Sequence, residues 1–279
     1  MNYRSVSIPR KRSAFRKLLG KKVYTLKRHL QWILSSGKFA RKSEAELLGH
    51  VLFQHSSVLL RELKNLDMQL QYNKIENLRI ALTYMNQVLI KPGETFSFWY
   101  LTGNPSRGRG FKKGMVLENG QVRSGYGGGL CQLANLIYWM TIHSPLTVTE
   151  RWRHSFDVFP DVNRTIPFGC GATVSYNYID LQIKNNTQQA FQFHLWLTEK
   201  DLCGEIRSDR DIPFHYEVAE KNHLIKQEMS GHYSRHNQIF RKAFDKKSGA
   251  LIQEELLTEN HALMMYSPLI QQKNSTQQE

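Results

Sequence analysis

Apolar positions recur at helical spacing through the first third of the chain. Phe15, Leu18, Leu19, Val23, Leu26, Leu30 and Ile33 fall together, opposite Lys17, Lys21, Lys27 and Arg28, and predict an amphipathic helix over 14–35. Ser43 followed by Glu46 has capping-box spacing, and Leu47, Leu48, Val51, Leu52, Val58, Leu59 and Leu63 behind it predict a helix over 43–71. A further helix is predicted over 74–86, through Ile75, Leu78, Ile80, Ala81 and Tyr84. Val88-Leu89-Ile90 then reads as a strand and Pro92-Gly93 as a turn. Phe96, Phe98 and Tyr100 alternate with Ser97 and Trp99 in a second strand, and Thr102 to Gly114, rich in Gly, Arg and Ser, reads as a surface loop.

Leu130 to His143 reads as one helix, ended by Ser144-Pro145. From Leu146 to Phe159 the period changes to two, with Leu146, Val148, Glu150, Trp152, His154, Phe156 and Val158 on one face. Segments 172–183 and 190–198 also read as strands, and Glu199-Lys-Asp201 and Asp245-Lys-Lys-Ser-Gly249 as the turns of later hairpins. The tail from Gln271 is polar, and no repeat is present. The sum is an α+β chain. Helices come first, then a glycine-loop, helix and strand core with a mixed, mainly antiparallel sheet, then C-terminal β-hairpins.

Charge divides the chain further. Residues 1–42 hold thirteen Lys or Arg and no acid, whereas the remaining residues hold 25 basic and 24 acidic side chains. The net charge of +14 therefore belongs to an N-terminal arm. The expected organisation is a basic amphipathic arm over 1–42, an α+β domain over 43–215, a β-rich extension over 216–270 and a polar tail over 271–279. A basic amphipathic helix suits peripheral contact with an anionic membrane surface or a covering role on the domain. Nucleic acid is disfavoured, because no helix-turn-helix or RNA-binding signature accompanies the charge. No secretory h-region or membrane span is visible, and three scattered cysteines argue for a reducing compartment, so a cytoplasmic location is expected, peripheral at the inner membrane face if the arm binds lipid.

The densest candidate chemistry is Gly127-Gly-Gly-Leu-Cys131-Gln132 at the head of a predicted helix. Glycines permit unusual torsions and close approach to the backbone. A helix start offers free N–H groups and partial positive charge, which favour a thiolate and a developing oxyanion. Cys131 is thus a candidate nucleophile, with Gln132 or Asn135 adding an amide donor. His154 on the next strand is the candidate base, and Glu150, Asp157 or Asp180 the orienting acid, Asp180 first. The bland alternative stands beside it: Cys131 packs, the glycines turn the chain, and His154 is a core histidine. No metal or cofactor is expected, since none of Cys131, Cys170 and Cys203 forms a CxxC pair. His215, His223, His232 and His236 read as solvated.

Five ordered blocks carry a resemblance. Pro92-Gly-Glu-Thr-Phe-Ser-Phe98, Gly127 to Gln132, Glu150-Arg151 with His154, Ala172-Thr-Val174, and Asp180-Leu followed by Asn185-Asn-Thr187 resemble the motifs of VanW-like proteins, over about residues 44–215. The family pattern commonly places an acid before Ala-Thr-Val, where this chain has Gly171 after Cys170. The resemblance implies a context, glycopeptide (vancomycin) resistance and the cell envelope, rather than a reaction. Two readings follow. One is a cysteine-dependent hydrolase or acyl transferase acting on an amide or ester of a peptidoglycan precursor. The other is a non-catalytic module in which Gly127, Gly128, Gly129, Gln132 and Asn135 hold a cell-wall precursor or envelope partner. Within the resemblance Glu150-Arg151 recurs with the histidine, so Arg151 is expected to be partly buried and to brace a carboxylate.

Overall fold

The computed structural model of the chain describes residues 13–35, 38–60, 67–118, 121–158, 165–176 and 179–268. The fold is α+β, with helices mainly N-terminal and mostly antiparallel sheets. Helix α1 (Ala14–Leu34) is followed by strand β1 (His50–Val58) and helix α2 (Met68–Met85). Short strands β2 (Leu89–Ile90) and β3 (Thr95–Ser97) lead into the single turn α3 (Phe98–Thr102). A hairpin, β4 (Lys113–Glu118) and β5 (Gln121–Tyr126), precedes helix α4 (Cys131–Ile142). Strands β6 (Thr147–Glu150), β7 (Phe156–Asp157), β8 (Gln182–Lys184), β9 (Phe191–Leu197) and β10 (Asp201–Ser208) follow. Three long strands, β11 (Phe214–Gln227), β12 (Tyr233–Asp245) and β13 (Leu251–Met264), complete the described chain.

The core lies between α2, α4 and the sheet ordered β1-β10-β9-β2. Nearly every residue of α4 from Leu133 to Ile142 is buried, as a helix apolar on all sides must be. From β9, alternate residues Phe191, Phe193 and Leu195 are fully buried, which is the period-two pattern read in the sequence. A smaller sheet, β3-β8-β6, closes one side. The C-terminal sheet β11-β12-β13 gains β7 as a parallel edge. It is fastened to the core by Ile239, which is fully buried, and by Arg241, which donates to the carbonyls of Ser144 and Leu146.

Four local expectations differ from the structure. Among its described residues, segment 172–183 is regular strand only at its end, in β8; before it Thr173 and Ser175 make isolated bridges, to Trp152 and Ile179. The run 43–71 is not one helix: Ser43 bridges Val88, and 50–58 is strand β1, paired along its length with β10 and interrupted by a bulge between Val51 and Phe53. Its leucines suit either period, and the open edge of β10 supplies a ladder that a helix would leave unpaired. Part of that run, 61–66, and the tail 271–279 lie outside the described residues. The alternation through Phe96, Phe98 and Tyr100 stops at Ser97, whose hydroxyl caps α3 by accepting from the Tyr100 N–H at 3.2 Å. The run 146–159 is broken into β6, a single bridge from Trp152 to Thr173, and β7. Trp152 is 54% exposed rather than turned inward.

The N-terminal helix touches the body along one line. Trp32 is buried with its ring edge-on to Tyr100, and Arg28 pairs with Glu150 at 2.6 Å. The segment after it belongs to the core: Phe39 and Ala40 are buried, and Phe39 bridges Thr95.

Candidate functional site

The glycine run links β5 to α4, and its spaces are filled by the protein itself. Gly127 and Gly129 have positive φ, 72° and 95°, which side chains resist. A Cβ at Gly128 would overlap the backbone of Gly114 on β4, and one at Gly129 would overlap the aliphatic stem of Lys74 on α2. Asn77 of α2 locks this approach. Its amide donates to the carbonyls of Gly128 (2.9 Å) and Lys112 (3.1 Å), and its oxygen accepts from the Lys112 N–H (2.7 Å). Gly128 is required by close packing of backbone on backbone, and Gly127 and Gly129 by their positive φ and the side chains of Pro105 and Lys74.

Cys131 is the first residue of α4, as the sequence predicts. Its thiol is half-buried and lies 3.7 Å from the Val174 carbonyl, to which it donates. Burial pushes the thiol up from its ordinary pKa, overcoming the hydrogen bonds that favour thiolate. Two N–H groups of the helix start are already taken, Leu130 by Gly127 and Gln132 by Gly129. Of the two amides expected as ligand donors, Gln132 is engaged through its N–H groups and Asn135 through its oxygen. Gln132 donates to Ser57 and to the Val58 carbonyl at 2.9 Å, tying α4 to β1. Asn135, one turn after Cys131, accepts from the Ala172 N–H at 2.6 Å and holds the segment that carries Val174.

His154 lies between β6 and β7, two residues beyond the Trp152–Thr173 bridge. It is half-buried, and burial, with the charge of Arg153, lowers its pKa. Among the described residues no hydrogen bond joins it to Cys131. Asp180 is fully buried, and its two oxygens accept from Ser97 (2.6 Å), the Trp99 N–H (3.1 Å), the Leu181 N–H (2.9 Å) and Gln182 (3.2 Å). These bonds hold the start of α3 on β8. Burial raises the Asp180 carboxyl to about 6, against the pull of Ser97 and Trp99. Asp157 is likewise occupied, by Arg235 at 3.6 Å and the Tyr266 hydroxyl at 2.9 Å.

Glu150 and Arg151 brace the surroundings. One Glu150 oxygen accepts from Arg28, from the Asp180 N–H at 3.1 Å and from the Trp152 indole at 3.3 Å. Among the described residues Arg151 meets no carboxylate. It donates to the carbonyls of Gly171 (2.8 Å) and Gly169 and to Thr258 (3.2 Å), and its guanidinium lies 4.8 Å from the Tyr138 ring centre. It thereby joins α4, the 169–171 segment and β13. A Cβ at Gly171 would stand 3.0 Å from the Asn135 side-chain oxygen.

One polar cluster was not foreseen. His236 is fully buried in β12, contrary to the expectation that it is solvated. Its ring bonds Ser234 at 2.8 Å and His261 at 2.7 Å, and Ser234 donates to Glu228 at 2.5 Å. Residues 234 and 236 share a strand face, a period-two signal masked by their polarity. Among the surface hollows are one of about 530 Å3 beside Arg79, Asn86 and Gln87 and one of about 180 Å3 beside Tyr216 and Arg241. Neither is lined by Cys131 or His154.

These features are those of a VanW-family protein, and the chain belongs to that family. A family model described as VanW like protein matches residues 73–207, which include the glycine run, Cys131, His154 and Asp180. The chain is 32% identical to the vancomycin B-type resistance protein VanW of Enterococcus faecalis (strain ATCC 700802 / V583) over 82% of each. It is 25% identical to the uncharacterized protein YoaR of Bacillus subtilis (strain 168), over 53% of this chain and 46% of that protein. No solved structure matches the chain.

Proposed function

We propose that this chain is an accessory protein of glycopeptide resistance and cell-envelope biology that acts by binding a cell-wall precursor or envelope partner, not by cysteine chemistry. The resistance context rests on the similarity to a vancomycin resistance protein along four-fifths of both chains. The choice of binding over catalysis rests on one observation: the Cys131 thiol donates to the Val174 carbonyl, in a setting where burial pushes its pKa up rather than down. A nucleophile needs the thiolate, and a base within hydrogen-bond reach. Gln132 spends its amide N–H groups on Ser57 and Val58, so that side chain offers the thiol no oxyanion donor.

The test uses a bacterium whose vancomycin resistance depends on a VanW protein. The chain replaces that protein, as wild type and as Cys131→Ser. Both are expected to support the same minimum inhibitory concentration. Iodoacetamide should label Cys131 in the folded chain at least about tenfold more slowly than after unfolding. Loss of resistance in a folded Cys131→Ser chain, together with fast labelling, would establish the cysteine enzyme instead. Failure of the wild-type chain to support resistance would withdraw the resistance role.

A further inference from the structure

We infer that α1 is a membrane-surface anchor, lying in the interface of an anionic bilayer with its apolar stripe toward the acyl chains. Successive residues of a helix turn by about 100°. Phe15, Leu19, Leu26, Leu30 and Ile33 therefore fall within about 60° of one another, and all are half to three-quarters exposed. Thr25, Arg28 and Trp32 lie together on a different face, and these are the more buried positions of the helix. The contact with the body, through the Arg28–Glu150 pair and the buried Trp32 ring, thus leaves the apolar stripe facing outward. A stripe of this size is an interaction surface, not ordinary surface scatter.

Charge selects the partner. The helix contains no acid, and Arg16, Lys22 and Lys27 are exposed on the flanks of the stripe. Anionic headgroups complement that collar, and lysine stems let the ammonium groups reach them while the leucines sit deeper. A second copy of α1 packed on the stripe would bring two basic collars together with no acid in either helix to offset them. No described helix is long and apolar enough to cross a membrane, so an in-plane position about 31 Å long is the geometry that fits.

The test is flotation of the full chain with large vesicles of phosphatidylcholine alone or mixed with phosphatidylglycerol. The chain is expected to float with the mixed vesicles and to bind pure phosphatidylcholine at least about tenfold more weakly. The double variant Leu26→Glu with Ile33→Glu changes only exposed positions and should lose flotation while keeping its unfolding midpoint. Lys22→Gln with Lys27→Gln should weaken binding to the mixed vesicles about tenfold and leave the stripe intact. Flotation of the double-Glu variant equal to wild type would overturn the inference. So would a wild-type chain that stays off the vesicles, whether as a monomer or as a dimer that the double-Glu variant does not form.

Discussion

Gly128 shows how a single residue can serve the fold where a ligand loop is expected. Its missing side chain leaves room for the carbonyl of Gly114, and the same is true in reverse, since a Cβ at Gly114 would come within 2.5 Å of the Gly128 oxygen. Two strands of backbone meet there with Asn77 bonded to one side. Neither side can yield, because each is backbone. Gly128→Ala is therefore expected to destabilise the protein by about 3 kcal/mol or more. Gly108→Ala is the control: its Cβ meets open space, and the midpoint of chemical denaturation should not move. Equal midpoints for both variants would mean that the loop is loosely packed and free to cradle a ligand. Arg151 teaches the related lesson that carbonyls can satisfy a half-buried guanidinium in place of a carboxylate. Its bonds to Gly169 and Gly171 join β6 to a segment that has no regular structure of its own.

At the scale of the element, α4 ends in a pH-sensitive contact. His143 caps its C-terminus by donating Nδ1–H to the Trp139 carbonyl at 2.8 Å, and its ring stacks on Phe53 of β1 at 3.9 Å between centroids. Burial first, with the charges of His55 and Arg241, lowers its pKa to about 4. The unfolded chain therefore binds a proton that the folded chain refuses between about pH 6.5 and pH 4. Stability from this group is complete above the unfolded value and is lost as pH falls toward 4, by about 3 kcal/mol. Asp180, raised to about 6, acts in the opposite sense and stabilises the fold on acidification over an overlapping range. The clean measurement is thus a difference. Relative to wild type, His143→Phe should gain about 3 kcal/mol of unfolding free energy between pH 7 and pH 4. A difference that does not change with pH would mean that the ring is accessible to water and titrates normally.

At the scale of the molecule, the C-terminal sheet is not an appendage. Ile239 reaches the central core, Tyr216, Val218 and Leu257 pack against it, and Arg241 and Arg151 cross the boundary with hydrogen bonds in both directions. A chain ending at Pro213 would uncover these contacts and leave the Ser144 and Leu146 carbonyls without Arg241. It is expected to lose cooperative unfolding and to aggregate, by the exposed apolar surface of α4 and its surroundings. Cooperative unfolding of that truncated chain near the full-length midpoint would instead make 214–268 a separate domain.

The sequence by itself determined the elements whose pattern admits one solution. Helix α4 and its Cys131 start, α2, β9 and the late hairpins were legible because apolar period and glycine or serine punctuation agree there. The family blocks were legible for the same reason, as short runs in a set order. Tertiary structure alone decided what those residues face. Leucines over 47–59 fit a helix and a strand equally, and the free edge of β10 chose the strand. Pairing the β4–β5 hairpin beside α2 placed Gly114 against Gly128 and turned a candidate cradle into packed backbone. Whether Cys131 is a nucleophile or a packed thiol depends on solvation and on atoms at 172–174, forty residues away in the chain. Desolvation is a property of the assembled core, and no local spacing encodes it.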